Sequence, residues 1–129
     1  MHMTTPAAAT LVDVSELIEK LRAFAKERDW GQFHSPKNLA MALTGEVGEL
    51  VEIFQWMTEA DSRRAAAEPE RAQAIAAEMA DVLFYLVRMA DMLGIDLNEA
   101  AKSKLALNAR KYPADLSKGS SQKRSAPKD

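Results

Sequence analysis

The 129-residue chain contains no cysteine, which excludes both disulfides and thiolate metal sites. Glycine and proline are scarce, at five each, so few positions interrupt regular structure. Aromatic residues make up only 6%, and a core must therefore be built largely from aliphatic side chains. Neither sign of charge dominates: 17 basic residues face 19 acidic ones, for a net charge of −2. Such a balance leaves no electrostatic footprint for duplex nucleic acid. No uninterrupted apolar run approaches the roughly 20 residues of a membrane span, and the N-terminus lacks the basic-then-apolar pattern of a signal peptide. These absences together lead us to expect a soluble, cytoplasmic protein with no membrane partner.

What is present leans towards helix. Hydrophobic residues reach 47%, with Ala, Leu and Glu prominent, and the length suits one domain with a real core. The expectation is an all-α chain. Residues 1–12 are Thr/Ala-rich and read as a flexible N-terminus. Asp13 and Glu16 have capping-box spacing, and Val14, Leu17, Ile18, Leu21, Phe24 and Ala25 give an amphipathic helix to about Arg28. An aromatic-rich loop, Asp29 to His34, breaks the pattern. Ser35 as N-cap and Pro36 as first residue open a second helix expected to run to about Glu59. A connection containing some helical turn should occupy 61–69. A third helix should run from Pro69 to Leu93 and stop at Gly94, and a fourth from Asp96 to Lys111, where Pro113 blocks extension. Residues 113–129 are Ser/Lys/Gly/Pro-rich, carry four basic and two acidic residues, and read as a disordered tail. The preceding part is mildly acidic, with 13 basic and 17 acidic residues. The expected architecture is a four-helix, up-and-down bundle with two long central helices. Their apolar surface exceeds one stripe, which suggests oligomerisation.

The two central helices each carry a pair of carboxylates at i,i+3 spacing: Glu46 with Glu49, and Glu78 with Asp81. That spacing places both members of a pair on one helix face. Leu39, Leu43, Glu46, Leu50, Ile53 and Met57 follow a 4,3,4,3,4 rhythm, so Glu46 occupies a slot in a seam that is otherwise apolar. In the third helix Ile75, Met79, Val82, Leu86, Met89 and Leu93 form a comparable seam, with Glu78, Asp81 and Tyr85 beside it. Carboxylates that converge near a core repel one another and lose hydration, and a hard divalent cation is the simplest compensator. An all-oxygen donor set suits Mg²⁺ or Mn²⁺, whereas a di-iron bundle would want Glu-x-x-His pairs, which neither helix has. A solvated acidic face is the plainer alternative. Gly45 and Gly48, each unfavourable in a helix interior, suggest close approach by another group.

Lys104, Asn108 and Lys111 form a polar stripe on the fourth helix, which is either an exposed face or a contact to phosphate oxygens. Trp30, His34, Trp56 and Tyr85 could offer flat faces on which a base stacks, although core packing also accounts for them. Metal, cations and aromatics together point to a nucleotide.

Several further segments, read with these, carry a family resemblance: Glu27-Arg28-Asp29-Trp30, Phe33-His34, Pro36, Asn38-Leu39, Ala42-Leu43, Gly45 to Leu50, Phe54-Gln55-Trp56, Asp81-Val82-Leu83 and Tyr85-Leu86-Val87, with Ser103-Lys104, Asn108 and Tyr112-Pro113. The chain resembles the dCTP pyrophosphatase branch of the MazG-like all-α nucleotide pyrophosphohydrolases over roughly residues 14–116. The resemblance implies a domain over 13–112 and Mg²⁺ ligands at Glu46, Glu49, Glu78 and Asp81, which would also be the catalytic carboxylates. It further implies a nucleotide site formed by Trp30, Gly31, Gln32, Phe33, His34, Trp56 and Tyr85, and a homotetramer with sites near subunit interfaces. The activity implied is Mg²⁺-dependent hydrolysis of dCTP or a base-modified dCTP to monophosphate and pyrophosphate, as nucleotide-pool housecleaning. One of the metal-binding carboxylates or Glu52 could accept the proton from the attacking water. Leu21 departs from vertebrate members of the branch, which carry a histidine there, so the preferred base is open. A helical scaffold without catalysis, or a pyrophosphohydrolase preferring another dNTP, remains the alternative.

Overall fold

The computed structural model describes residues 9–125, and every described regular element is helical. The chain divides into two compact units, Val14–Ile95 and the stretches on either side of it.

In the unit Val14–Ile95, helix α1 spans Ser15–Glu27, α2 Pro36–Phe54, α3 Glu59–Arg63 and α4 Pro69–Leu93. The principal pairing is α2 against α4, and α4 also packs on α1 and on a 3₁₀ turn at Ala65–Ala67. Ala25, Leu39, Ala65, Val87 and Ala90 are the buried apolar residues. The α2 seam faces inward as expected, for Leu39, Leu43, Glu46, Leu50, Ile53 and Met57 are all buried or half-buried. The α4 expectation needs correction. Met79, Leu86 and Leu93 are exposed, and the shielded positions include Ile75, Glu78, Asp81, Val82, Tyr85 and Met89. Because α4 is apolar on more than one stripe, periodicity alone does not select which stripe turns inward. The stripe carrying the acids is the one that does.

Helix boundaries follow local chemistry. Ser35 accepts from the backbone N–H of Asn38 at 3.2 Å, and Asn38 Nδ2 donates to the Phe33 carbonyl at 3.0 Å, which ties the aromatic loop to the start of α2. The second helix stops at Phe54 rather than Glu59. Thr58 is extended there, and its hydroxyl accepts from Asp61 N–H at 3.1 Å, so a new helix is capped before the old one can continue. The first helix starts at Ser15, with Val14 at its N-cap. A Cβ added at Gly45 or Gly48 would meet nothing within 4 Å, so within this chain neither glycine serves the expected close approach.

In the other unit, α5 spans Leu97–Lys111 and a single turn, α6, spans Ala114–Ser117 after Pro113. Part of the stretch expected to be a disordered tail is thus helical, because Pro113 ends one helix and stands at the N-cap of the next. Asp96 caps α5 through Glu99 N–H, as its spacing suggested. Asn98 Oδ1 accepts from the backbone N–H groups of Leu11 (2.7 Å) and Val12 (3.1 Å), which anchors residues just before α1. The remainder of the expected flexible N-terminus, residues 1–8, and the tail beyond 125 lie outside the described residues.

Gly94 ends α4 in the left-handed region at φ 68°, and a Cβ there would meet no neighbour within 4 Å. Its requirement is therefore conformational rather than steric packing. We expect Gly94→Ala to destabilise the unit by about 1 kcal/mol in urea unfolding, with Gly94→Asn losing less, since Asn tolerates this conformation.

Candidate metal and nucleotide site

Glu46 and Glu49 from α2 meet Glu78 from α4, each offering a carboxylate oxygen within 4.8 Å of the others. One oxygen of Glu46 and one of Glu78 are buried with no hydrogen-bond partner. Burial and then the neighbouring Glu49, with Asp81 and Glu78 adding, push the Glu46 carboxyl up to about 7. Glu78 is raised as well, by burial first and Glu49 next, whereas its hydrogen bond with Glu46 works in the opposite direction. The donor set passes the test for a hard divalent cation: all-oxygen, converging, underpartnered and electrostatically frustrated.

Asp81 lies beyond that triad but acts on it, since its charge raises both Glu46 and Glu78. It also lines a pocket of about 310 Å³ with Leu21, Phe24, Ala25, Trp30, His34, Phe84, Tyr85 and Arg88. Asp81 is therefore the residue common to the acidic cluster and the pocket. The Trp30 ring meets Phe24 edge-on at 5.6 Å and His34 at 6.5 Å. Arg28 sits 3.5 Å from the Phe24 ring centroid, which fixes the outer aromatic wall. On the inner wall Arg88 donates to His34 Nδ1 at 3.1 Å.

The remaining residues expected at the site fall elsewhere. Gly31, Gln32 and Phe33 form an exposed 3₁₀ turn that does not line the pocket, with Gln32 Nε2 donating to the Asp29 carbonyl at 3.0 Å. Trp56 is 89% exposed and lines a second cavity of about 420 Å³ with Met57, Asp61, Arg64, Ala67, Glu68 and Arg71. Lys104, Asn108 and Lys111 lie on α5, Lys104 exposed and the other two half-buried. Phe24, Ala25, Phe84 and Arg88 line the pocket without having been singled out from sequence. Phe24 and Ala25 read as ordinary members of the α1 seam. Arg88 had a usable signal, because Asp81, Tyr85 and Arg88 are spaced 4 and 3 on one helix face.

The MazG-like family profile matches residues 42–125. The chain belongs to the MazG-like family. Its likeness to known members is substantial: it is 49% identical over 109 residues to the dCTP pyrophosphatase 1 of Rattus norvegicus and to that of Homo sapiens, a match covering 84% of this chain. It spans 64% of the length of those two relatives. Among solved structures, a pyrophosphatase from Archaeoglobus fulgidus superposes with a TM-score of 0.72 at 39% identity, covering 88% of this chain and 98% of the other.

The raised Glu46 carboxyl has a measurable consequence in this MazG-like chain. A group whose folded value is about 7 against an ordinary 4.5 adds stability below about pH 4.5 and loses it as pH rises through 7. In chelator-treated protein, the melting temperature of wild type relative to Glu49→Gln should fall across that interval, because the variant removes Glu49's charge. Taking the difference between the two proteins cancels the separate titration of His34. Parallel melting curves at every pH would contradict the electrostatic account of the cluster.

Proposed function

We propose that this chain is a divalent-metal-dependent nucleoside triphosphate pyrophosphohydrolase that converts dCTP, or a base-modified dCTP, to the monophosphate and pyrophosphate. The observation that carries this reading is the sharing of Asp81 between the underpartnered carboxylate cluster and the aromatic pocket. The names of the rat and human relatives, dCTP pyrophosphatase 1, agree with it.

In this reading Glu46, Glu49, Glu78 and Asp81 hold Mg²⁺, with Mn²⁺ as a substitute, and the bound cation supplies positive charge that offsets the triphosphate and favours attack by water. The protein's own groups do the rest. Trp30, Phe24, Phe84 and Tyr85 hold the base between apolar and aromatic surfaces and exclude water from it. Asp81 fixes how far the base lies from the acids. A carboxylate of the cluster, or exposed Glu52 one turn beyond Glu49, takes the proton from the attacking water. Lys104, Asn108 and Lys111 are proposed phosphate contacts. The housecleaning role removes unwanted dNTPs before a polymerase uses them, in the cytoplasm, where a cysteine-free chain is at no disadvantage.

Self-association belongs to the same proposal. Val47 and Val51 on α2 and Met79, Leu83 and Leu86 on α4 are large apolar residues left exposed in the single chain. A homotetramer would cover them, and exposed Trp56 and the Gly31–Phe33 turn would then be available to sites near the interfaces.

The test is a panel of purified NTPs and dNTPs with Mg²⁺, its products separated. We expect dCTP-type substrates to lead, with monophosphate and pyrophosphate in equal amounts. Release of phosphate without pyrophosphate would contradict the reaction. Glu49→Gln and Asp81→Asn should keep the helical circular dichroism and lose more than about 100-fold in turnover, since even supporting residues of metal sites account for 10–100-fold.

Trp30→Ala should weaken dCTP binding by about 1–3 kcal/mol, the range for one lost stacking partner, while Mg²⁺ binding measured by calorimetry survives. Unchanged KM in that variant would remove the base from this pocket.

A further inference from the structure

A chain of polar contacts runs from the pocket-lining His34 and Arg88 to Asp91 and Arg22, which do not line the pocket. Arg22 on α1 makes a two-pronged pair with Asp91 on α4, through Nε to Oδ2 at 2.8 Å and through Nη2 to Oδ1. Asp91 Oδ2 also accepts from Arg88 Nη1 at 3.3 Å, and Arg88 Nε donates to His34 Nδ1 at 3.1 Å. The inner members are well shielded: the side chains of Arg88 and Asp91 are 12% and 10% exposed. Asp91 is held below the ordinary carboxylate range by its bond from Arg22, despite burial.

The chemistry of the last link is one-sided. A guanidinium has five donors and no acceptor, so the His34 Nδ1 that it meets must offer a lone pair. Burial and the charge of Arg88 both lower the His34 titration from its ordinary 6.5, which keeps the ring neutral at neutral pH. A neutral imidazole with Nδ1 unprotonated carries its proton on Nε2. Since Nδ1 is engaged, Nε2 is the only ring nitrogen left for a ligand, and His34 lines the pocket.

We propose that Arg88, braced through Asp91 by Arg22, is a positioning residue that fixes His34 as its Nε2–H tautomer. The pocket thereby presents an N–H donor that reads a ring-nitrogen or carbonyl acceptor on the edge of the bound base. The proposal rests on the nucleotide reading for the identity of the ligand, but the tautomer itself does not. Without Arg88 the imidazole could take either tautomer and offer an acceptor where a donor is needed. An acceptor facing an acceptor leaves two polar groups unpaired in a shielded place.

The test begins without substrate. Long-range ¹H–¹⁵N NMR of the full chain above neutral pH distinguishes the two imidazole nitrogens, and His34→Gln separates His34 from the only other histidine, His2. We expect an unprotonated Nδ1 and a protonated Nε2 in wild type, and a mixture in Arg88→Met. Protonated Nδ1 in wild type, or an unchanged tautomer in Arg88→Met, would overturn the proposal. In kinetics with dCTP, Arg88→Met should raise KM about 10-fold, the equivalent of one hydrogen bond, with a smaller change in kcat. Arg88→Lys, which keeps a donor towards Nδ1, should recover much of it. In a His34→Phe background, Arg88→Met should add no further KM change. Additive losses there would mean that Arg88 touches substrate itself, and would also overturn the proposal. The expected tautomer in a protein that turns over no nucleotide would support the network and contradict the nucleotide reading instead.

Discussion

The mutual repulsion of carboxylates brought together by the pairing of α2 and α4 is the constraint around which this molecule is built. Glu46 occupies an inward slot of the α2 seam, and Glu78 faces it from α4, so that the helix pairing cannot form without crowding them. Apolar residues at those slots would pack without frustration. The protein instead retains buried carboxylate oxygens with no partner and a carboxyl that holds its proton up to about pH 7. Such frustration is typical of functional sites, where local stability is lower than the scaffold could provide.

The pocket depends on the same pairing for its position. Asp81 and Tyr85 stand one helical turn apart on α4, just beyond Glu78, so the helix rise itself sets the distance from the acids to the aromatic pocket. Helix α1 contributes Leu21, Phe24 and Ala25, and Trp30 and His34 close the pocket from the following loop. Arg22 and Asp91 lock α1 to α4 at the far end of that wall. The metal-type and base-type features therefore share one rigid element, and displacement of α4 would disturb both.

Much of this was legible in the sequence because helical periodicity and capping are local. Ser35-Pro36, Pro69, Gly94 and Asp96 each act within a few residues, and the structure places helix ends where they predict. The end of α2 was harder, since Thr58 stops that helix by starting another, and the apolar rhythm runs through Met57 regardless. Both i,i+3 acidic pairs could be read, and three of their four members converge as a possible metal triad. The facing stripe of α4 could not be read, because two stripes had nearly equal apolar content. The roles of Arg88 and Asp91 were hidden for a different reason: their partners, His34 and Arg22, are 54 and 69 residues away in sequence. Trp56, expected at the base from its aromatic ring, lines a separate cavity of the single chain, because aromatic character does not say which cavity a side chain joins.

The central claim is that the crowded acids form a divalent-cation site whose frustration the cation relieves. Calorimetric titration of Mg²⁺ and Mn²⁺ into the nucleotide-free protein near pH 7, repeated in two buffers of different ionisation enthalpy, tests it most directly because it counts protons as well as ions. We expect binding accompanied by proton release, since the Glu46 carboxyl still holds part of a proton at that pH and a bound cation would displace it. Proton release should diminish as the pH is raised. Absence of binding, or binding with no proton released near pH 7, would contradict the account.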